Sequence, residues 1–195
     1  MSFMKNKITQ YKTYITILMA FLFIFLFTGC VNKPQFERLT YNEDYTLITS
    51  PDGCSWRITY EDKKDSTYDG IVRHNSRWTD DSAPFMSNDV LVTTREFADP
   101  EITTTFVFDH KFFFKTNRDA SGRINLIHAL PANQEVFDML QEIKKWDHVI
   151  IHGREILIVD KFDENGEAFG YFKDMGCNTL LVTDVTILDE PVSLP

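Results

Sequence analysis

The pattern of apolar and polar residues divides this chain into three kinds of segment. An uninterrupted apolar run extends from Ile15 to Phe27, and the residues before it include lysines but no acidic residue. From residue 45 onward, segments with a period of two dominate, and this period predicts β-strands. One later segment has the period of a helix. The pattern therefore predicts a short apolar leader followed by a β-rich domain.

The strongest strand signal covers residues 102–116. Its even-numbered positions carry His110 and four phenylalanines, which share one face when the segment is extended: Phe106, Phe108, Phe112 and Phe114. The alternation predicts one long strand whose aromatic face fills the core. Because the polar His110 interrupts the stripe, we expect a bend or bulge near Asp109 and His110. A histidine in this setting is more typical of a core residue with a satisfied ring nitrogen than of a catalyst.

Shorter segments with strand character lie on both sides of the long one. They are separated by turn signals, of which Pro51-Asp52-Gly53 and Asn165-Gly166 are the clearest, and residues 61–66 also have the composition of a solvated turn. The predicted strands are residues 45–50, 56–60, 70–74, 147–152, 155–162, 168–172 and 179–188.

The helical period falls between Gln134 and Trp146. Asn133 is suited to cap the start of this helix, and its apolar face consists of Val136, Phe137, Leu140 and Ile143. We therefore predict an α+β fold, mainly antiparallel β with one packed amphipathic helix. From Pro131 onward, the order of helix, bent strand pair, hairpin and final strand favours a small closed barrel, for which an OB-like arrangement is one candidate.

The apolar leader has the features of a signal peptide. Lys5, Lys7 and Lys12 precede it, and the run is shorter than the roughly 20 apolar residues that a membrane-spanning helix needs. Its end, Phe27-Thr28-Gly29-Cys30, resembles the lipobox of bacterial lipoproteins, although Phe27 stands where that family prefers an aliphatic residue. The alternative is an uncleaved anchor helix with Cys30 as an unmodified thiol.

The lipobox resemblance implies a location and a domain organisation. Residues 1–29 would be removed, Cys30 would become the lipidated first residue, residues 30–44 would form a tether, and residues 45–195 would form one soluble domain. In the lipoprotein family, Val31 after the cysteine implies export to the outer membrane, with the domain facing the periplasm. The membrane would then be a partner of the chain through its lipid anchor.

Net charge and cysteine content bear on the possible partners of the chain and on a possible disulfide. The chain has a formal charge of −9, and removing residues 1–29 with their three lysines gives −12. An acidic domain repels phosphate backbones, so we expect no nucleic-acid partner. Besides Cys30 the chain has Cys54 and Cys177, which we predict to form a disulfide in an oxidising compartment. The alternative is two buried thiols.

A second resemblance covers residues 125–188. His128, Pro131-Ala132, the helix and the following segment from Trp146 to Gly153 are similar to a group of uncharacterised bacterial envelope proteins. In that group a histidine precedes a Pro-Ala dipeptide, a helix and a strand that ends in glycine, and a cysteine lies near the last strand. The resemblance supports a fold and implies no activity.

The sequence contains no recognisable catalytic or metal-binding motif. His148 and His152 are four residues apart on a predicted strand, too far for one metal ion. We expect His128 to hold the loop before the helix through a bond to the backbone. We predict no catalytic residue, metal or cofactor, although Trp78 and Phe85 could form an exposed recognition surface.

The leading hypothesis is a lipid-anchored envelope lipoprotein that binds another protein or an envelope component without catalysis. One version is an immunity-type lipoprotein that neutralises a periplasmic toxin. The rival is an envelope hydrolase acting on peptidoglycan or lipid, which would require His128, His148 or His152 to lie beside a carboxylate in a deep cleft. A third possibility is a purely structural lipoprotein.

Overall fold

The computed structural model describes residues 35–42, 46–173 and 178–188. The predicted signal peptide, Cys30 and Cys177 lie outside these residues. The described part contains one α-helix, α1 (Gln134–Glu142), and these strands: β1 (Thr40–Tyr41), β2 (Leu47–Thr49), β3 (Ser55–Arg77), β4 (Asn88–Thr93), β5 (Thr103–Phe108), β6 (Lys111–Thr116), β7 (Ile124–Pro131), β8 (His148–Phe162), β9 (Ala168–Phe172) and β10 (Asn178–Leu188).

Five strands close into a ring in the order β3, β4, β7, β10, β8 and back to β3. All neighbours in the ring are antiparallel except β7 and β10, which are parallel. The helix α1 lies in sequence between the third and fourth ring strands. This is the arrangement of an OB-type barrel. The structure thus confirms the predicted mainly antiparallel α+β fold, and the barrel uses strands from both halves of the chain.

Strand β3 is far longer than the sequence suggested. Residues 61–66, predicted as a turn between two strands, lie inside β3, where the register against β8 shifts between Tyr60 and Asp65. The extra residues form an irregularity within a continuous strand, so the predicted turn was wrong. Because β3 continues past it, one strand pairs with β8 along most of its length and then with β4.

Strand β8 is also continuous where two strands were predicted. It passes between β3 and β10 at Gly153. A Cβ atom at Gly153 would lie 2.3 Å from the carbonyl oxygen of Leu181, closer than real Cβ atoms come. Glycine at this position therefore allows β8 and β10 to approach closely enough to keep the ring closed.

Helix α1 packs on the barrel by its predicted apolar face. Asn133 caps it, because its Oδ1 accepts a hydrogen bond from the Val136 N–H at 3.0 Å. Val136, Phe137 and Leu140 are buried, and the helix ends at Glu142, four residues earlier than predicted.

The core consists of two clusters of buried apolar side chains. One buried cluster includes Val72, Val90, Ile127, Leu140 and Val149, and a second includes Trp56, Trp78, Phe85, Leu130 and Val159. Trp78 and Phe85, predicted as an exposed recognition surface, are buried. That prediction was wrong, because the polar residues around them form a loop that turns both aromatic side chains inward.

Folded residues also occur within the range predicted as a tether. A 3-10 helix covers Gln35–Arg38, and the Phe36 ring stacks on Phe137 with centroids 5.0 Å apart. Phe36 is buried. The first described residue is therefore already part of the domain.

Candidate functional site

The predicted long strand over residues 102–116 is a hairpin, β5–β6. Phe108 and Lys111 pair across a two-residue turn formed by Asp109 and His110. Both turn residues have positive φ, 50° and 56°, which is the conformation of a type I′ turn. The sequence predicted a bend at these residues, and the structure shows a complete reversal. The phenylalanines consequently do not form one continuous face.

The turn places His110 beside a buried carboxylate on the barrel. Asp89 of β4 lies 2.7 Å from the Nδ1 of His110 through one oxygen and 2.6 Å from the Nδ1 of His128, on β7, through the other. The side chain of Asp89 is 3 % exposed. We call Asp89, His110, His128 and Trp78 the Asp89 cluster.

Trp78 covers this group of polar side chains. Its ring stacks on His110 with centroids 3.9 Å apart and meets His128 edge-on at 5.2 Å. The indole N–H donates to the carbonyl oxygen of Asp80. Hydrogen bonds from the backbone N–H and hydroxyl of Ser82 lower the pKa of Asp80. The loop before β4 is therefore folded over the cluster and shields Asp89 and His128 from water, whereas the side chain of His110 is 30 % exposed.

The Asp89 cluster is a buried carboxylate whose two oxygens are each hydrogen-bonded to a histidine. A buried carboxylate is costly unless hydrogen bonds satisfy its oxygens, and here each oxygen has an imidazole partner. A carboxylate that orients a histidine is also a component of acid–base sites, but such a site needs a histidine that a substrate can reach. His128 is buried under Trp78, and the partly exposed His110 has one face of its ring covered by Trp78. The arrangement therefore favours holding the hairpin tip on the barrel.

The other end of the hairpin is anchored by a second buried side chain. Arg73 of β3 donates to the carbonyl oxygens of Phe97 and Thr103 at 2.7 and 2.6 Å. The hydroxyl of Thr103 donates to the carbonyl oxygen of Glu96. Since both the tip and the base are bonded to buried residues, the hairpin lies along the barrel surface in a fixed orientation.

The two faces of the hairpin differ in exposure. On the inner face, Thr103 is buried, and all but one of the others are half-buried, with Phe114 exposed and in contact with Phe97. On the outer face every residue is exposed, and these six residues are Thr104, Phe106, Phe108, Lys111, Phe113 and Lys115. We call this set the outer face of the hairpin.

The outer face presents an organised aromatic surface to solvent. Phe106 and Phe113 are cross-strand partners whose rings stack at 4.8 Å with an interplanar angle of 12°. Phe108, nearer the tip, is 71 % exposed. Contiguous exposed apolar side chains of this kind typically mark interaction surfaces. Phe106 and Phe108 were placed in the core because the turn was interpreted as a bend, and Phe113 was placed on the opposite face from them.

The remaining histidines lie elsewhere on the barrel. His148 lies 2.7 Å from a carboxylate oxygen of Asp69, and His152 lies 2.8 Å from the hydroxyl of Thr67. Both contacts lie along the β3–β8 pair and are exposed. His128 was expected to bond to the backbone, and its Nδ1 bonds to Asp89. Asp89 itself was not predicted as a site residue.

A polar cavity of about 360 Å³ opens on the part of the barrel where Asp69 and Thr67 contact His148 and His152. Its lining includes Thr67, Asp69, Arg123 and the buried Glu155, whose carboxylate accepts a 2.6 Å hydrogen bond from the hydroxyl of Tyr68. Burial and this bond raise the pKa of Tyr68. The Tyr68–Glu155 bond satisfies the buried carboxylate from within the protein.

The predicted disulfide falls partly outside the described residues. Cys54 is half-buried and has no disulfide partner among the described residues, whereas Cys177 is not one of them. Burial, together with the negative charge of Asp52, raises the pKa of the Cys54 thiol. Cys54 and Phe172 pack against the same core cluster, and Cys177 follows Phe172 by five positions. The pairing stays a prediction.

Among the described residues, no group of three or more histidine, cysteine, aspartate or glutamate side chains is placed to hold a metal ion. Within the same part of the chain, no helix has the length and apolar character to cross a membrane.

No protein-family model and no curated protein matches this chain. Among solved structures, the chain is similar to the mitochondrial single-stranded DNA binding protein Rim1 from S. cerevisiae. The TM-score is 0.28 and the identity 8 %, over 66 % of this chain and 97 % of that chain. A similarity of this size carries no argument about what this chain binds.

One expectation from the sequence needs correction. We expected no nucleic-acid partner on the basis of net charge, and the structure found by the comparison is that of a single-stranded DNA binding protein. The exclusion was wrong, because net charge is a property of the whole chain whereas a binding face is local. The outer face of the hairpin, for example, carries two lysines on an acidic protein.

Proposed function

We propose that this chain is a lipid-anchored protein of the bacterial cell envelope whose OB-type barrel binds another envelope component through the outer face of the hairpin, without catalysis. The observation that carries the binding role is the exposure of three phenylalanines on a hairpin held at both ends. Natural proteins seldom leave such a surface exposed without a partner for it.

The anchoring half of the proposal is supported by the sequence. A lysine-bearing start, an apolar run and Phe27-Thr28-Gly29-Cys30 follow one another in the order found in lipoprotein precursors. Acyl chains on Cys30 would anchor the domain, since each buried CH₂ contributes about 0.8 kcal/mol. Val31 after the cysteine supports the outer membrane as its destination.

The absence of a reaction is proposed from the placement of the histidines. The carboxylate partner of His128 is buried with it, and the carboxylate partner of His148 is on the open surface. The buried pair lies under Trp78, and Asp69, although it lines the polar cavity, is 61 % exposed. A buried pair excludes substrate, and an open pair does not exclude water from the reacting groups.

Metabolic labelling with a clickable fatty acid tests the anchor. Wild type should incorporate the label and fractionate with the outer membrane, whereas Cys30→Ala should not incorporate it. Cys54→Ala serves as the matched control, because it removes a different cysteine and should still be labelled. Absence of label from wild type would refute the lipoprotein assignment.

A further inference from the structure

The outer face of the hairpin combines two kinds of side chain that occur together where proteins meet lipid. Phe106, Phe108 and Phe113 provide an apolar surface, and Lys111 and Lys115 flank it on the same side of β6. Aromatic rings enter the boundary between headgroups and acyl chains, while lysine ammonium groups remain among the phosphates. We propose that the partner of this face is the surface of a phospholipid bilayer with anionic headgroups. This inference rests on the proposed envelope function.

The local charge supports an anionic partner. The whole chain has a formal charge of −9, yet the hairpin from residue 103 to 116 has two lysines and one aspartate. The aspartate, Asp109, lies 3.8 Å from Lys111, and each side chain is 70 % exposed. Such an open pair is weak and leaves the lysine available to a phosphate group. The acidic remainder of the domain would then be directed away from the bilayer.

The position of the lipid attachment also supports this partner. Only five positions separate Cys30 from Gln35, where the described domain begins. A chain extends at most about 3.6 Å per residue, so these positions span no more than about 18 Å. A domain attached this closely meets the bilayer repeatedly, and an aromatic face needs only to insert.

The shape of the face favours lipid over a folded protein. A stable protein–protein interface uses roughly 20–30 residues on each side, whereas the outer face has six side chains on a two-stranded sheet. A bilayer requires no matching pocket, because lipid chains rearrange around whatever inserts. Three phenylalanine rings and two lysines are therefore sufficient to orient the domain on the bilayer once the acyl anchor holds it close.

A tryptophan reporter in the full lipidated chain tests the proposal. Phe108→Trp places the reporter at the most exposed ring of the outer face, and Tyr171→Trp places a matched control on β9, where the native ring is 67 % exposed. Each variant is reconstituted into phosphatidylglycerol-containing vesicles with lipids brominated near the headgroup, and its emission is compared with that of wild type. We expect the emission of Phe108→Trp to be blue-shifted and to be quenched by the brominated lipids. The emission of Tyr171→Trp should show neither change.

Charge reversal and lipid composition sharpen the result. Combining Phe108→Trp with Lys111→Glu and Lys115→Glu should abolish the quenching, as should replacing phosphatidylglycerol by phosphatidylcholine. Quenching that survives both changes would overturn the role of anionic lipid. Equal quenching of the two reporters, or of neither, would overturn the insertion of the hairpin.

Two outcomes separate this inference from the proposed function. If the chain floats with vesicles but Phe108→Trp is not quenched, the anchor stands and the lipid-binding face is refuted. If the chain does not float with vesicles, the anchor fails and the inference fails with it. Binding of a single-stranded oligonucleotide that changes the Phe108→Trp emission, without quenching by brominated lipid, would assign the face to nucleic acid and also refute the proposal.

Discussion

Two carboxylate–histidine contacts in this protein have the same length and very different surroundings. Asp89 lies 2.7 Å from His110, and Asp69 lies 2.7 Å from His148. The side chain of Asp89 is 3 % exposed and that of Asp69 is 61 % exposed. The two histidines are similarly exposed, at 30 % for His110 and 32 % for His148, so the difference lies in the carboxylates. Because water competes for an open carboxylate and is largely excluded from a buried one, the same distance represents a structural anchor in one place and a weak surface contact in the other.

The largest effect should come from Asp89→Asn. Each oxygen of Asp89 contacts a different imidazole, and an asparagine amide would present one acceptor oxygen and one NH₂ donor in their place. One of the two imidazole N–H groups would therefore lose its acceptor. We expect the free energy of unfolding in urea to fall by about 3 kcal/mol. The control Asp69→Asn should lower it by less than about 1 kcal/mol. Equal effects of the two substitutions would contradict the distinction drawn from burial.

The next effect should come from His110→Asn. Asparagine accepts the positive φ of this turn position, so the substitution removes the imidazole contacts and retains the turn. We expect a loss of about 1–2 kcal/mol and faster amide hydrogen exchange confined to residues 103–116. Unchanged exchange in the hairpin would show that the Asp89 contact does not hold its tip.

A smaller, pH-dependent effect should come from His74. Burial lowers its pKa, an effect that Asp89 opposes and Lys145 reinforces. Because the unfolded state binds the proton more tightly, the stability contributed by His74 is complete above about pH 6.5 and is lost as pH falls through the folded-state pKa. His74→Gln should therefore flatten the decrease in unfolding free energy below that pH. Parallel curves for variant and wild type would contradict this assignment.

The smallest effect should come from His148→Asn. The contact with Asp69 is open to solvent, so we expect a change of at most about 0.5 kcal/mol at neutral pH and moderate salt. Urea melts in low and high salt would measure it. A loss as large as that of His110→Asn would show that exposure does not separate the two contacts.

The sequence predicted the elements that obey one period and missed those that do not. Helix α1 and its cap at Asn133 were predicted because the helix buries one apolar face. Strand β9 was predicted because it follows the Asn165-Gly166 turn signal. Strands β4 and β7 were not predicted. Every residue of β4 is buried, as are most of β7, and a strand buried on both faces has no alternation to recognise.

The candidate site depended on contacts between distant segments. His110 was predicted to have a satisfied ring nitrogen, but its partner Asp89 lies 21 positions earlier and nothing local joins the two. A signal was nevertheless present, since Asp89 precedes the apolar run Val90-Leu91-Val92, where an acidic residue needs a partner. The outer face of the hairpin was missed because the alternation of residues 102–116 is the same for a long strand and for two short ones joined by a two-residue turn.

The pairing of β3 with β8 has a consequence for the order in which the protein can fold. Ser55 pairs with Phe162, more than 100 positions later in the chain. Contacts between residues that are close in sequence therefore cannot nucleate the pairing of β3 with β8. Pairings of such high contact order form slowly. During synthesis from the amino terminus, β3 is complete long before β8. The edge of β3 that β8 covers therefore stays open until most of the domain has been made.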